Sequence, residues 1–333
     1  MTPKKMPNFT LISSSAEEVA TLEALHAEGG LGLFYETLVA AWYLRTVQAG
    51  DTVIDVGANE GTHFFPLANR VGRAGMLNGF EPIPKLANAL KVRAKAAGLS
   101  HTSIFEIAIG LKAGTADFYC FRERMAMSGL KRRLTDFSNE EAGLQVISVK
   151  TDTLDNMLGS LFPSFIKLDI EGGEFHALQG ATKTLKRARP SIAFEYGGQP
   201  TGSVYQYDHD GFFDFFASRD YALFTVTGVP YHRNLWGRYA GCWELLALPI
   251  EKADLIKAQR QEAESLLQRL DAGGLYDRDT VNACWNDLLG RYGISDTEPA
   301  SNQALPSRKT QKPPRFVRRL RKWWRMRTEQ GDR

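Results

Sequence analysis

Short apolar runs alternate with stretches of helical periodicity between residues 51 and 250. The runs predict seven strands, at Thr52–Val56, Met76–Phe80, Thr102–Ile107, Phe165–Asp169, Ser191–Glu195, Ala222–Val226 and Cys242–Leu248. Helical stretches separate the first six strands, and the last two strands are predicted to form a hairpin. Strands that alternate with helices are typical of a mostly parallel sheet with helices on both faces. The pattern therefore predicts an α/β fold.

Helical periodicity also occurs on both sides of this region. Residues 1–50 are predicted to contain two helices, which Gly29-Gly30 separates and which cap the sheet. Residues 251–293 are predicted to form two amphipathic helices that pack on the domain, with a homodimer interface as the alternative. Residues 294–314 are polar and contain prolines, which is typical of a linker.

The first strand runs directly into a glycine turn, Gly57-Ala58-Asn59-Glu60-Gly61, and a helix follows. The second strand then ends in Glu81, 24 residues after Gly57. Strand, glycine turn, helix and a strand that ends in an acid form the layout of a nucleotide-binding βαβ unit. Gly57 and Gly61 lack a Cβ, which we interpret as room for a tight turn and for a ligand close to the backbone. Glu81 is placed where a carboxylate accepts hydrogen bonds from a ribose diol.

Two cofactors use this layout, NAD and S-adenosylmethionine. The NAD fingerprint G-x-G-x-x-G requires glycines where this chain has Asn59 and Thr62. S-adenosylmethionine has no phosphate, so a looser turn is enough, and the acids Asp55 and Glu60 suit its ammonium and sulfonium charges. The turn therefore favours S-adenosylmethionine. The alternative, a turn that only builds the fold, remains open.

A second informative stretch, Phe165–Glu174, is an apolar strand followed by acids and glycines. Asp169 falls at the carboxyl end of that strand, where ligands bind in doubly wound sheets, and Glu171 and Glu174 lie just beyond it. Because neighbouring carboxylates repel one another, the pKa of at least one of these three acids is expected to be raised. Glu195 ends the next strand and is predicted to lie at the same edge.

Two loops have compositions that suit contact with a ligand. The polar loop Arg122–Lys131 follows a predicted hairpin at Thr115–Phe121 and has Ser128 near its tip. Contact with an anionic or sugar substrate is one interpretation, but a solvated surface loop is favoured. Residues 231–239 contain several aromatic side chains, which either close over a ligand or pack on the sheet.

The chain has 333 residues and a formal net charge of +3, which is unevenly distributed. Residues 308–333 contain eleven Lys or Arg and two Asp or Glu, so this segment carries +9 and the remainder −6. A mildly acidic body argues against a nucleic acid as its partner. No apolar run approaches the roughly 18 residues of a membrane-spanning helix. Three widely separated cysteines are typical of a cytoplasmic protein with reduced thiols.

The C-terminal residues 315–333 are predicted to form a basic amphipathic tail. Between residues 315 and 327, Phe316, Leu320, Trp323 and Trp324 fall on one helical face, with arginines around them. Tryptophans opposite arginines suit an anionic membrane surface. A solvated tail and an RNA-binding arm are the alternatives.

With these pieces placed, the chain resembles the FkbM family of S-adenosylmethionine-dependent methyltransferases. The resemblance rests on motifs that follow one another in the family's order over residues 51–195: Asp55-Val56-Gly57-Ala58-Asn59-Glu60-Gly61, Phe80-Glu81-Pro82, Ala108-Ile109-Gly110, Thr153-Leu154-Asp155, Ile166-Lys167-Leu168-Asp169-Ile170-Glu171-Gly172-Gly173-Glu174 and Phe194-Glu195. It implies the class I methyltransferase (Rossmann-like) fold, whose seven-stranded, mostly parallel sheet has an antiparallel last strand. It also implies methyl transfer to a hydroxyl, often of a sugar or a polyketide-like natural product.

The resemblance assigns roles to single residues. The amino-acid part of the cofactor would be held by Asp55, Gly57, Asn59 and Gly61. Glu81 would bind the ribose, Ala108 would lie beside the adenine, and Asp169 would be the active-site acid.

We therefore predict a methyltransferase that acts on a hydroxyl of a sugar in a glycan, a glycolipid or a related natural product. A hydroxyl needs a base to become nucleophilic, and Asp169 is the predicted base, assisted by Glu195 or Glu171. Their oxygens also suit Mg²⁺, but no metal is predicted. If the tail binds the inner face of a membrane, a lipid-linked glycan is the expected acceptor. The alternatives are a catalytically silent membrane-docked module and an NAD-dependent oxidoreductase.

Overall fold

The computed structural model describes residues 16–132, 143–236, 243–273 and 276–294. The strands within these ranges are β1 Thr52–Val56, β2 Met76–Phe80, β3 Thr102–Phe105, β4 Ala108–Ile109, β5 Gly114–Phe121, β6 Leu144–Asp152, β7 Pro163–Leu168, β8 Ser191–Glu195, β9 Tyr221–Thr225 and β10 Glu244–Pro249. The helices are α1 Ala16–Glu28, α2 Leu31–Thr46, α3 Phe64–Val71, α4 Pro84–Ala96, α5 Leu154–Leu158, α6 Glu174–Gln179, α7 Thr182–Ala188, α8 Gly198–Tyr205, α9 His209–Ala217, α10 Ile256–Gly273 and α11 Arg278–Arg291. The predicted tail and all but the first residue of the predicted linker lie outside the described residues.

Seven of the described strands form one sheet, in the order β3-β2-β1-β7-β8-β10-β9. The pairs β1–β2, β1–β7 and β7–β8 are parallel, whereas β10 runs antiparallel to both of its neighbours. This topology confirms the predicted seven-stranded, mostly parallel, Rossmann-like sheet with a reversed last strand. From β1 the next strands along the chain, β2 and β3, extend to one side of the sheet, whereas β8 and the later strands extend from β7 to the other side. In such sheets ligands bind where the direction changes, outside the carboxyl ends of the strands.

Helix α2 is the central element on one face of the sheet. It is buried on almost every side, with Phe34, Leu38 and Trp42 no more than 1% exposed. Helices α10 and α11 pack against it, and the Gln259 side chain donates hydrogen bonds to the carbonyls of Leu38 and Val226 at 3.0 and 2.8 Å. The C-terminal helices thus pack on the domain, as favoured from the sequence, and the homodimer remains a prediction. No helix among the described residues is long and apolar enough to span a membrane.

The opposite face of the sheet is covered by α5 to α9 and is rich in aromatic side chains. Phe212 and Phe216 of α9 are buried against β8, where Phe216 stacks on Phe194 with 5.8 Å between ring centroids. Trp236 and Tyr231 join this cluster, and the ring centroids of Trp236 and Phe212 are 5.4 Å apart. The described part of the aromatic loop therefore packs on α9.

A second, three-stranded sheet, in the order β4-β6-β5, lies beyond the edge of the first. The stretch Thr115–Phe121, predicted as a hairpin, belongs instead to the single strand β5, which pairs antiparallel with β6. Phe118 of β5 packs with Ile83 and Leu86 at the start of α4 in a small separate core. This arrangement closes one side of the crevice beside β2.

Candidate active site

Two adjoining clefts open at the carboxyl ends of β1, β2 and β7. The first, called here the apolar cleft, has about 520 Å³ of empty volume, and its walls include Glu81, Ile83, Leu86, Ala108, Phe118 and Met125. The second, the acidic cleft, has about 730 Å³, and its walls include Glu36, Asp55, His63, Lys167, Glu195, Trp243 and Glu244. Residues that line both clefts include Gly57, Asn59, Asp169 and Glu171.

Glu81 lies directly after β2, where the sequence predicts a ribose-binding carboxylate. Its Oε2 accepts a hydrogen bond from the Asn59 backbone N–H at 2.9 Å, and its Oε1 accepts one from the Ile83 N–H at 2.8 Å. Burial raises the pKa of Glu81 to about 7, although both backbone donors act to lower that pKa because they favour the charged form. The carboxyl group is thus fixed in orientation beside the apolar cleft.

Ala108, which the resemblance assigns to the adenine, lies in the apolar cleft. It is 4% exposed and belongs to the short strand β4, which pairs with β6 so that Ala108 faces Thr151 in register. Ile107 and Ile109 line the same cleft. A wall of small and branched apolar side chains suits one face of an aromatic ring.

The two glycines of the turn have the positive φ of a tight turn, as predicted, but the space beside them is not open to a ligand. Gly57 has φ +84°, and a Cβ added to it would lie 1.9 Å from the carbonyl oxygen of Asp169. Gly61 has φ +91°, and its Cβ would meet the rings and methyls of Phe65 and Leu90 at 2.5 to 2.8 Å. Protein atoms therefore occupy the space that we assigned to a ligand. Gly57 still lines both clefts, whereas Gly61 lines neither.

Gly57→Ala is expected to lower the free energy of unfolding by about 2 kcal/mol or more, because a positive φ and a clash with backbone act together. The matched control is Gly50→Ala, since Gly50 has φ +92° and nothing within 4 Å of the added Cβ. Urea denaturation of both variants isolates the steric contribution. Equal destabilisation of the two would show that Gly57 is needed only for its backbone conformation.

Asp55 is the fourth residue of β1, two positions before the glycine turn, and it lines the acidic cleft. It is 1% exposed, and neither of its carboxylate oxygens accepts a hydrogen bond within the described residues. Burial raises the pKa of Asp55, while the positive charge of nearby Lys167 acts in the opposite direction. Glu60, the other acid named beside the turn, is exposed and lines neither cleft.

Asp169, Glu171 and Glu195 converge, as predicted, at the edge where the clefts meet. One carboxylate oxygen of each lies within 4.8 Å of the others. Asp169 Oδ2 also accepts a hydrogen bond from the Lys167 Nζ at 3.0 Å, and Lys167 is buried two positions earlier on β7. Burial would lower the pKa of Lys167, but the carboxylates of Asp169 and its neighbours raise it, so the ammonium charge is retained.

Glu174 has a raised pKa, as was expected for at least one acid of this stretch. Burial and the charge of Glu195 raise the pKa of Glu174 to about 8. Its Oε1 accepts hydrogen bonds from the backbone N–H groups of Ile170 and Gly172, at 2.8 and 3.1 Å. Glu174 lines neither cleft, so it fixes the acidic loop rather than acting on a ligand.

The loop Arg122–Lys131 covers the apolar cleft, so the favoured interpretation of a solvated surface loop is wrong. Met125, Ser128 and Leu130 line that cleft. Ser128 is buried, and its Oγ accepts a hydrogen bond from the Phe121 N–H at 3.0 Å. The apolar residues Met125 and Leu130 within this basic loop could have indicated that the loop packs against the protein.

Several side chains of the acidic cleft were not singled out from the sequence. They are Glu36, His63, Lys167, Trp243 and Glu244. Lys167 had a detectable signal, since a lysine inside an apolar strand is rarely buried without a partner. Glu36 had none, because it lies within the long helix α2 and reaches the cleft only through tertiary packing.

The sequence matches the Methyltransferase FkbM domain over residues 55–223, about half of the chain. The chain belongs to this family. Its match spans the glycine turn, Glu81, Asp169 and Glu195, so every one of these residues lies within the methyltransferase domain. Comparison with curated proteins gives no significant match.

Solved structures that are similar to this chain include several methyltransferases. The methyltransferase FkbM from Methylobacillus flagellatus is 15% identical, with a TM-score of 0.39, over 71% of this chain and 55% of that one. The O-methyltransferase TomG from Streptomyces achromogenes is 13% identical, with a TM-score of 0.38, over 72% of this chain and 92% of TomG. A putative O-methyltransferase from Klebsiella pneumoniae is 13% identical, with a TM-score of 0.36, over 72% of this chain and 92% of that protein. This FkbM-family chain thus spans about half the length of the first of them.

The cofactor of this methyltransferase domain is S-adenosylmethionine. Its binding groups fit the residues present. Asp55 offers a buried carboxylate to which none of the described residues donates a hydrogen bond, which suits an ammonium group, and Glu81 offers an oriented carboxylate beside a pocket with apolar walls. The NAD-dependent alternative therefore lacks support.

Proposed function

We propose that this methyltransferase transfers the methyl group of S-adenosylmethionine to a hydroxyl of a sugar, in a glycan, a glycolipid or a related natural product. One observation carries the proposal: Asp169 lies on the wall shared by the apolar and acidic clefts. A carboxylate there reaches both the end of the cofactor site and an acceptor in the acidic cleft. Many carboxylates around one polar cleft suit an acceptor that donates several hydrogen bonds.

In this proposal each part of the cofactor has its own residues. Glu81 binds the ribose hydroxyls and Ala108 lies against the adenine in the apolar cleft. Asp55 pairs with the ammonium of the amino-acid part, and the backbone at Gly57 and Asn59 forms the passage between the clefts. Gly61 supports the turn from behind through its contact with Phe65.

The cofactor supplies an activated methyl group, so the protein has to orient the acceptor oxygen and remove its proton. Asp169 accepts that proton, which is the role of a general base. Lys167 donates a hydrogen bond to Asp169 Oδ2 at 3.0 Å and so fixes the position of this carboxylate. Glu195 and Glu171 assist by accepting hydrogen bonds from the acceptor's other hydroxyls.

Methyl transfer is expected to persist in excess EDTA. The carboxylates of Asp169, Glu171 and Glu195 have the spacing of a divalent-cation site. However, the buried ammonium of Lys167 already neutralises Asp169 and would repel a second cation. The measurement compares initial rates with EDTA and with added Mg²⁺. A rate lost in EDTA and restored by Mg²⁺ would replace this account with metal assistance.

We further propose that the basic tail docks the enzyme on an anionic membrane surface, where a lipid-linked glycan would be the acceptor. The support is the sequence pattern of residues 315–327, with tryptophans on one helical face and arginines around them.

The intact chain is therefore expected to sediment with vesicles that contain phosphatidylserine or phosphatidylglycerol, and to stay in solution with neutral vesicles. A protein truncated after Ala304 is expected to remain in solution with both. Equal sedimentation of the intact and truncated proteins would contradict docking by the tail, and RNA binding by the intact protein alone would favour the RNA-binding alternative.

A further inference from the structure

The acidic cleft extends from Asp169 to helix α2, beyond the part of the chain that matches the family. Glu36 of α2 and Trp243, next to β10, line this end of the cleft together with His63 and Lys167. The family match covers residues 55–223, so Glu36 and Trp243 both lie outside it. This end of the cleft is therefore built jointly by the matched domain and by segments on either side of it.

Glu36 is held in place as an ionised hydrogen-bond acceptor. Its Oε2 contacts His63 Nε2, and His63 Nδ1 lies 3.2 Å from the hydroxyl of Tyr43. Burial acts to raise the pKa of Glu36, but His63 and Lys167 outweigh it and lower that pKa to about 2. The side chain is 31% exposed, and no described residue donates to Oε1. The partly exposed carboxylate of Glu36 thus lines the cleft and is held by His63.

Trp243 provides a flat apolar surface on the same wall. The centroid of its ring lies 5.2 Å from the ring centroid of Tyr35, the residue before Glu36, and the two ring planes meet at 81°. It also packs over Gly32, whose added Cβ would lie 3.8 Å from the indole. Edge-to-face packing of this kind holds an aromatic ring in one orientation.

We propose that Glu36 and Trp243 form an acceptor subsite for an uncharged ring that carries adjacent hydroxyl groups. An ionised carboxylate accepts hydrogen bonds from two such hydroxyls, and an indole face contacts the C–H side of the ring. An anionic ring would be repelled by Glu36, Asp169 and Glu195, which line the same cleft. The subsite rests on the proposed function, since it orients the acceptor whose hydroxyl Asp169 deprotonates.

The test uses the full chain with saturating S-adenosylhomocysteine. The probes are the methyl glycosides of glucose, galactose and mannose, with glucuronate as the charged comparison. Dissociation constants come from saturation-transfer NMR titrations. The wild type is expected to bind at least one neutral glycoside and to bind glucuronate more weakly.

Glu36→Gln keeps the shape of the side chain but removes its charge, and should weaken glycoside binding about tenfold or more. Glu23→Gln makes the same change at an exposed position of α1 and should have no effect. Trp243→Leu should also weaken binding, and the melting temperatures of all variants show whether they are folded. The subsite is overturned if the wild type binds none of the glycosides, or if Glu36→Gln and Glu23→Gln bind them equally.

Calorimetry with S-adenosylhomocysteine on the same samples separates the two proposals. Cofactor binding without glycoside binding would remove the subsite and leave the proposed methyl transfer standing. Glycoside binding that depends on Glu36, in a protein that does not bind S-adenosylhomocysteine, would support the subsite and remove the proposed function.

Discussion

Asp169→Asn is expected to lower the rate of methyl transfer by about a thousandfold, within the range that general bases contribute. Asparagine has nearly the same shape but cannot accept the hydroxyl proton. The substitution lies on the shared wall of the clefts, and Asp169 makes no contact assigned to the ribose or the adenine. The dissociation constant for S-adenosylhomocysteine should therefore change by less than about threefold, which is less than one hydrogen bond contributes.

The measurement is the single-turnover rate with saturating cofactor and acceptor, accompanied by a calorimetric titration. Asp210→Asn is a suitable control, because Asp210 is an exposed residue of α9 that lines neither cleft. The loss of the Lys167 partner will affect stability, so both variants need a melting curve. An Asp169→Asn protein that is folded and retains more than about a tenth of the rate would exclude Asp169 as the base.

Glu81→Ala is expected to weaken S-adenosylhomocysteine binding by roughly a hundredfold, since two hydrogen bonds to a charged group contribute about 3 kcal/mol. It also leaves the N–H groups of Asn59 and Ile83 without their acceptor, so the glycine turn loses its link to β2. Glu28→Ala on the surface of α1 serves as the control. Unchanged affinity in Glu81→Ala would remove the ribose assignment.

The affinity for S-adenosylhomocysteine should also depend on pH, because Glu81 titrates near neutral pH. Because burial raises its pKa to about 7, Glu81 is largely protonated below that pH in the free protein. Ribose hydroxyls donate to the ionised form, so binding requires loss of the proton. The affinity should then fall by up to about tenfold for each pH unit below 7 and level off above it. Glu81→Gln should remove this contribution to the pH dependence.

The sheet and its ligand edge could be predicted because their signals are local. Apolar runs mark β1, β2, β7 and β8, and glycines and acids follow the strands directly in the sequence. Since the carboxyl ends of parallel strands meet at one edge, Asp169 and Glu195 had to lie near each other. For the same reason Asp55 and Glu81 could be placed beside the glycine turn without knowledge of the packing.

The rest of the site depends on contacts between distant segments. Glu36 reaches the acidic cleft through the tertiary packing of α2, whose Tyr43 contacts Phe165 of β7, and the sequence of α2 itself shows only a buried helix. Trp243 enters the cleft while Trp236, seven residues earlier, packs on α9. The glycines illustrate a different limit: the sequence predicts a tight turn at Gly57, but not that the Asp169 carbonyl fills the space beside it.

The most direct test of the account is transfer of an isotope-labelled methyl group from S-adenosylmethionine by the full-length protein. The acceptors are glycan and glycolipid extracts of the cells that encode it, with Asp169→Asn in parallel. We predict label in O-methylated sugars with the wild type, formation of S-adenosylhomocysteine, and loss of both with Asp169→Asn. A wild type that binds S-adenosylhomocysteine but labels no sugar would contradict the proposed acceptor. The absence of any labelled product would favour the catalytically silent module.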